Sequence, residues 1–316
     1  MPCKFVLLFI VNAMNRSILC CVLFFVGWPL FVQANPITVT DDTGQQITFA
    51  QPAQRIVALA PHIVETLFAA GAGSKIIGTV DYSDYPAAAK SIRRIGGYSS
   101  VDLETLVALK PDLVIGWETG NSPATIAKIQ SLGIPVYLSQ SNKVSQVATE
   151  IQKFGRLAGT EKIAQPVADR FKKRLAKLQQ IYGSRPTVTV FYQISESPLM
   201  TIGGNQIISN ALDICGGKNV FNALTPMASV VSVESVLAAN PEAIMASGME
   251  QTNPTTFDQW KKWSKLTATQ NNNFFLVDPD LMNRNGPRIL DGTQMLCEAI
   301  QIARNRRLSQ AGNHQN

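Results

Sequence analysis

Histidine is almost absent from this 316-residue chain: His62 and His314 are its only two. A multi-histidine metal site cannot be built from that, so no resident metal is expected. Charge is sparse too, with 16% charged residues against 46% apolar ones. That balance can bury sizeable cores and excludes wholesale disorder. The net charge of +6 comes from 28 basic and 22 acidic residues. No block of Lys and Arg with interleaved aromatics occurs, which excludes the pattern of a nucleic-acid binder. Nucleophile motifs are missing as well. There is no Gly-x-Ser-x-Gly elbow, no Walker-type phosphate loop and no Gly-x-Gly-x-x-Gly opening a helix. Gly71-Ala-Gly73 ends a helical pattern, the wrong context for a dinucleotide. No His, Cys and acid combination can be assembled for catalysis, and the chain is read as a non-enzyme.

What is present begins with a leader. Residues 1–34 carry Lys4 and Arg16, no acidic residue, an apolar run from Ser17 to Phe31, and Val32-Gln-Ala34. The last three offer small or apolar side chains at the positions a signal peptidase requires, so cleavage near Ala34 and export are expected. Met14 already starts a complete signal peptide, which leaves Met1 and Met14 as alternative starts. The rival reading, a membrane anchor, is opposed by the Gly27-Trp-Pro29 break. Of five cysteines, Cys3, Cys20 and Cys21 leave with the leader. Cys215 and Cys297 remain. Two cysteines in an exported chain most simply pair, the alternative being two buried free thiols.

Along the mature chain, residues 37–50 read as a hairpin turning at Asp41-Asp-Thr-Gly44. Strands then alternate with helices: strands at 55–60, 75–80, 113–117 and 134–137, and helices ending at Gly71, before Pro111 and at Gly133. Short connections between them imply a parallel sheet covered on both faces. From Val144 to Tyr182 the pattern is helical with a break near Gly159. A new strand starts at Thr187, and alternation resumes to about residue 304. The second half echoes the first: Val101–Ile115 aligns without a gap on Val231–Met245, matching Glu104 with Glu234 and Pro111 with Pro241. The expected fold is therefore α/β, two similar lobes joined by one long α-helix. The expected organisation is signal peptide 1–34, N-terminal lobe 35–155, linking helix 156–184, C-terminal lobe 185–304 and a disordered tail 305–316. One helix between lobes is a stiff strut that disfavours large hinge closure.

Ligands of open α/β sheets bind at the carboxyl ends of the strands. The loops there carry Pro61-His62, Tyr82-Ser-Asp-Tyr85, Gly96-Gly-Tyr98, Trp117-Glu-Thr-Gly-Asn121 and Asp280-Leu-Met-Asn-Arg284. Aromatics, small residues and a few polar groups suit a large, flat, mostly apolar ligand with polar edges. They do not suit a small sugar or a free metal ion. His62 is expected to be a lining or helix-entry residue and not a metal ligand.

At Tyr82-Ser-Asp-Tyr-Pro86, Val107–Trp117 with Gly120-Asn121, Cys215-Gly-Gly with Asn219-Val-Phe221, and Pro287-Arg288, the chain resembles the periplasmic cobalamin (vitamin B12)-binding proteins of ABC importers. The resemblance covers roughly residues 53–304. It implies a class III periplasmic binding protein with two Rossmann-like lobes and mostly parallel sheets. It implies a periplasmic receptor, a monomer when free, that captures cobalamin between the lobes, with no cofactor and no reaction of its own. The receptor would deliver its ligand to a permease dimer with its ATPases. The family's corrin-contacting tyrosine falls on Tyr82, and its cleft tryptophans fall on Trp117 and Tyr98. Its C-lobe ligand loop falls on Asp280, Leu281, Met282, Asn283 and Arg284. Leu281 and Met282 stand where the family has an aromatic pair, and Met227 replaces a further aromatic. The family disulfide falls on Cys215 and Cys297. The two glutamates that meet permease arginines fall on Glu104 and Glu234. A haem or ferric-siderophore receptor is the alternative, with Tyr82, Tyr98 or His62 as candidate axial ligands for haem.

Overall fold

The computed structural model describes residues 36–247 and 255–313. The expected signal peptide and its cleavage site lie outside the described residues. The chain from Pro36 onward forms one compact unit. It opens with the antiparallel pair β1 (Ile37–Thr40) and β2 (Gln46–Phe49). Asp41 closes the turn between them, its carboxylate accepting from the backbone N–H of Thr43 and Gln45.

The N-terminal lobe is built on β3 (Ile56–Ala58), α1 (Pro61–Ala69), β4 (Ile76–Thr79), α2 (Leu103–Ala108), β5 (Leu113–Trp117), α3 (Pro123–Ser131) and β6 (Val136–Ser139). Its four strands are all parallel, in the order β4-β3-β5-β6. Pro61 starts α1 because its missing N–H would be unpaired there in any case. Gly71, at φ +79, lets the chain leave it. The last strand lies two residues later than the sequence pattern suggests. Pro135 has no N–H to give, so pairing with β5 begins at Val136.

Two long helices follow, α4 (Val144–Ala158) and α5 (Glu161–Tyr182), separated by Gly159 at φ +67. Helix α4 thus runs through the expected lobe boundary at 155/156, and α5 covers most of the stretch expected to link the lobes. Val144, Val147, Ala148, Ile151, Phe154 and Leu157 form the buried stripe of α4. The two helices cross closely at Gly155, where an added Cβ would lie 2.3 Å from Ala164 Cβ.

The C-terminal lobe holds β7 (Val188–Glu196), β8 (Leu199–Ile202), α6 (Ile207–Ile214), β9 (Gly217–Asn219), β10 (Ala228–Val230), α7 (Val233–Ala239), β11 (Ala243–Ala246), α8 (Asp258–Lys261), α9 (Thr267–Gln270), β12 (Phe274–Leu276), α10 (Pro279–Met282) and α11 (Ile289–Asn313). Strands β9, β11 and β12 join the sheet in parallel, while β8 and β10 add an antiparallel edge. The sheets are thus mostly parallel, as expected. Cys215, just past α6, is disulfide-bonded to Cys297 of α11, and both are fully buried.

The tail expected to be disordered from residue 305 is instead helical to Asn313. Arginines pin it: Arg306 donates to the Asn272 carbonyl at 2.6 Å, and Arg307 pairs with Glu242 at 2.7 Å. The aligned repeat is one structural unit used twice. Asp102 caps α2 and Ser232 caps α7, each accepting from the backbone N–H three residues on. Each helix then leads into an inner strand, β5 or β11. No helix among the described residues is long and apolar enough to cross a membrane.

One continuous core joins the lobes. It runs from Ile56, Ile63 and Leu67 through α4 and α5 to Val190, Leu212 and Ile300. Two smaller clusters cover the opposite faces of the two sheets, around Leu106 in one and Trp260 in the other.

Candidate ligand cleft

The carboxyl ends of the N-lobe strands converge on Trp117. Its backbone N–H donates to Asn121 Oδ1 at 2.6 Å, and its indole Nε1 donates to Gln140 Oε1 at 3.0 Å. Its ring lies so close over Gly120 that a Cβ there would sit 1.8 Å from Cε3. Asn121 is buried, and its amide donates to the carbonyls of Leu59 and Tyr98. One side chain therefore ties three of the loops named from the sequence. Tyr98 stands 6.1 Å from Trp117, ring centre to ring centre, and is 46% exposed. Tyr82 is 69% exposed on a left-handed backbone at φ +62.

His62 sits at the start of α1, edge-on to Trp117 at 5.3 Å, and is only 7% exposed. Burial, with the nearby charge of Arg284, pulls its pKa down to about 4. The imidazole is neutral at neutral pH. Among the described residues no cluster of three or more His, Cys, Asp or Glu could hold a metal ion.

The C-lobe contributes the turn after β12. Asp278 caps α10 through the backbone N–H of Asp280. Asp280 and Asn283 stay exposed, and Leu281 is half-buried. Met282 departs from expectation: it is fully buried, packed where a Cβ on Gly292 would lie 2.3 Å from its Sδ. A single helical turn points its fourth residue inward, so Met282 belongs to the core and does not line the cleft. Asn283 exchanges two hydrogen bonds with Ser247, both at 3.0 Å. Met227 Sδ meets Thr119 Oγ1 of the other lobe at 3.9 Å.

Arg284 is not free. It bonds Glu65 at 3.1 Å, Asp84 at 2.8 Å and Asp280 at 3.0 Å. Arg288 grips the same Glu65 with two nitrogens, at 2.7 and 2.9 Å, and stacks 4.0 Å from the ring centre of Tyr85. Desolvation would raise the pKa of Asp84, but the hydrogen bond and charge of Arg284 outweigh it and hold the carboxyl below its ordinary value. Sequence reading missed Glu65, which comes from α1 of the opposite lobe. Its signal was a lone charge inside the largely apolar stretch Ile63–Ala69, a residue that needs a partner if buried.

Glu104 and Glu234 occupy the second position of α2 and α7. Both are exposed, and the burial pattern of residues 101–106 repeats without change over 231–236.

A family model for periplasmic binding proteins matches residues 56–281. The chain belongs to this family. It is 34% identical over 253 residues to a vitamin B12-binding protein of Vibrio cholerae, covering 80% of this chain and 91% of that protein. The crystal structure of the periplasmic vitamin B12-binding protein of Vibrio cholerae superposes with a TM-score of 0.75, covering 80% of this chain and 98% of that one. A periplasmic heme-binding protein from Roseiflexus shares the fold, with a TM-score of 0.67 at 22% identity. The disulfide expected between Cys215 and Cys297 is present.

Proposed function

We propose that this protein is a periplasmic receptor that captures cobalamin between its lobes and hands it to an ABC importer. The observation that supports the reading is the pair Tyr98 and Trp117, with exposed Tyr82 on the loop whose Asp84 is bonded by Arg284 of the C-lobe turn. A broad, flat, apolar ring with amide edges matches both sides. Similarity to vitamin B12-binding proteins supplies the name of that ring. Asp280, Asn283 and Arg284 would meet the ligand's polar rim, and Leu281 its apolar ring. Glu104 and Glu234, one per lobe on equivalent helices, would meet arginines of a two-fold symmetric permease dimer. The leader would place the mature chain, a monomer when free, in the periplasm. The lobes would extend over residues 35–155 and 185–304. The protein binds and delivers, and carries out no reaction.

Titration calorimetry of the mature protein with cyanocobalamin, cobinamide and haemin tests this. Saturable binding of cyanocobalamin, tighter than that of haemin, is expected. No heat with cyanocobalamin, or tighter binding of haemin, overturns the reading.

A further inference from the structure

The two arginines beside the cleft face three carboxylates. Arg284 touches Glu65, Asp84 and Asp280, and Arg288 is held in a two-pronged grip by Glu65. The side chain of Glu65 is 2% exposed, and those of the arginines 12% and 17%. Every strong anion receptor at this point of the site is thus already occupied by the protein itself, with one negative charge left over. Guanidiniums engaged in this way are already charge-compensated and offer a ligand carboxylate little of their usual attraction. A carboxylate approaching it would also meet the surplus negative charge.

We propose that Glu65, supported by Asp84, is a specificity residue: it masks Arg284 and Arg288 so that carboxylate-bearing tetrapyrroles are turned away while ligands with uncharged amide edges are accepted. The proposal rests on the reading of the cleft as a tetrapyrrole site. Rejection works by removing an attraction and adding a repulsion, the device by which sites discriminate between ligands of similar shape. Glu65 reaches across from the opposite lobe, so the same contact also ties the lobes together.

Two ligand pairs separate charge from shape. Dicyanocobyrinic acid and its heptamethyl ester share one ring and differ in carboxylate charge. Haemin and cyanocobalamin extend the comparison. Affinities are measured for the native protein, for Glu65→Gln, and for Asp84→Asn, a change at an exposed position that leaves the core intact. Both variants should raise affinity for the acid relative to the ester on the order of tenfold, and likewise haemin relative to cyanocobalamin. Circular dichroism melting shows whether Glu65→Gln is folded, and Asp84→Asn decides if it is not. Unchanged acid-to-ester ratios in the folded variants overturn the proposal. Failure of the native protein to bind cyanocobalamin would instead overturn the functional reading, while the acid and ester pair still reports on the masking.

Discussion

At the scale of single residues, the proposed aromatic wall depends on a few polar groups around Trp117. Asn121 satisfies two backbone carbonyls and one N–H at once. Asn121→Ala should lower stability by about 1–3 kcal/mol, because buried groups lose their partners. Urea unfolding measures it, and an unchanged midpoint would contradict the geometry. Tyr82→Ala and Trp117→Ala should each weaken cobalamin binding by about 1–3 kcal/mol, read by calorimetry. Unchanged affinity in both would remove the wall from the site. His62 carries a pH dependence. Its pKa in the folded protein, about 4, lies below the ordinary histidine value of 6.5. The stability it contributes is present above pH 6.5 and is lost as pH falls through 4. His62→Asn should therefore flatten the loss of melting temperature between pH 6.5 and 4. It should leave the spectrum of bound cobalamin unshifted, since a neutral ring edge-on to Trp117 is a lining group. Tyr82 and Trp117 could be read from the sequence as ligand-site candidates because they stand at or just past the carboxyl ends of strands, where loops of open α/β sheets carry ligands. Glu65 and Met282 could not, because which way one turn of helix points is decided by what packs against it.

At the scale of elements, helix α4 holds an acid where none is comfortable. Glu150 is 4% exposed and accepts from Tyr137 and Ser139, with Lys153 at 3.4 Å. Desolvation, then the charge of Asp42, pushes its pKa up to about 7, although Lys153 opposes the shift. A folded-state pKa raised above that of the unfolded chain means the native state binds the extra proton. Its advantage is present at low pH and is lost as pH rises between 4.5 and 7. Glu150→Gln should gain stability relative to the native protein on going from pH 5 to pH 8, by on the order of 1–3 kcal/mol. Urea melts at the two pH values would show no such difference if the carboxylate were comfortable as an anion. Helix periodicity made α4 readable, along with the Gly159 break, the glycine stops and the repeated unit. It could not show that a polar residue on the buried stripe would meet Asp42 from the first hairpin, 108 positions earlier in the chain. The pairing of Cys215 with Cys297 closes a separation of 82 residues, for which chain entropy gives roughly 4–5 kcal/mol. Cys215→Ser should lower the melting temperature well before it alters ligand affinity, since the bond joins α6 to α11 inside one lobe.

At the scale of the whole molecule, the stiffness expected from one connecting helix has more sources than the helix. The shared core runs through α4 and α5 into both lobes. Asn210 of the C-lobe accepts from the backbone N–H of Val144 at 2.9 Å, and Asn285 donates to the Ser141 carbonyl at 3.1 Å. Glu65 adds the charged tie. Sequence alone could announce two lobes by their repeat, but contacts between lobes come from residues far apart in the chain and leave no periodic trace. A body held this way presents fixed points to a partner. Glu104 and Glu234, the docking points proposed above, are exposed at equivalent places on α2 and α7. A rigid spacing between two carboxylates suits a symmetric pair of cationic sites, and their attraction sets encounter rate and register and weakens with salt. Each also lies in the first turn of a helix, where a negative charge is favoured by the helix dipole. The two roles separate on charge reversal. Glu104→Arg combined with Glu234→Arg should leave cobalamin affinity intact and abolish stimulation of the transporter's ATPase in reconstituted vesicles. Loss of thermal stability with transport unimpaired at low salt would assign both carboxylates to their helices and leave docking to another part of the surface.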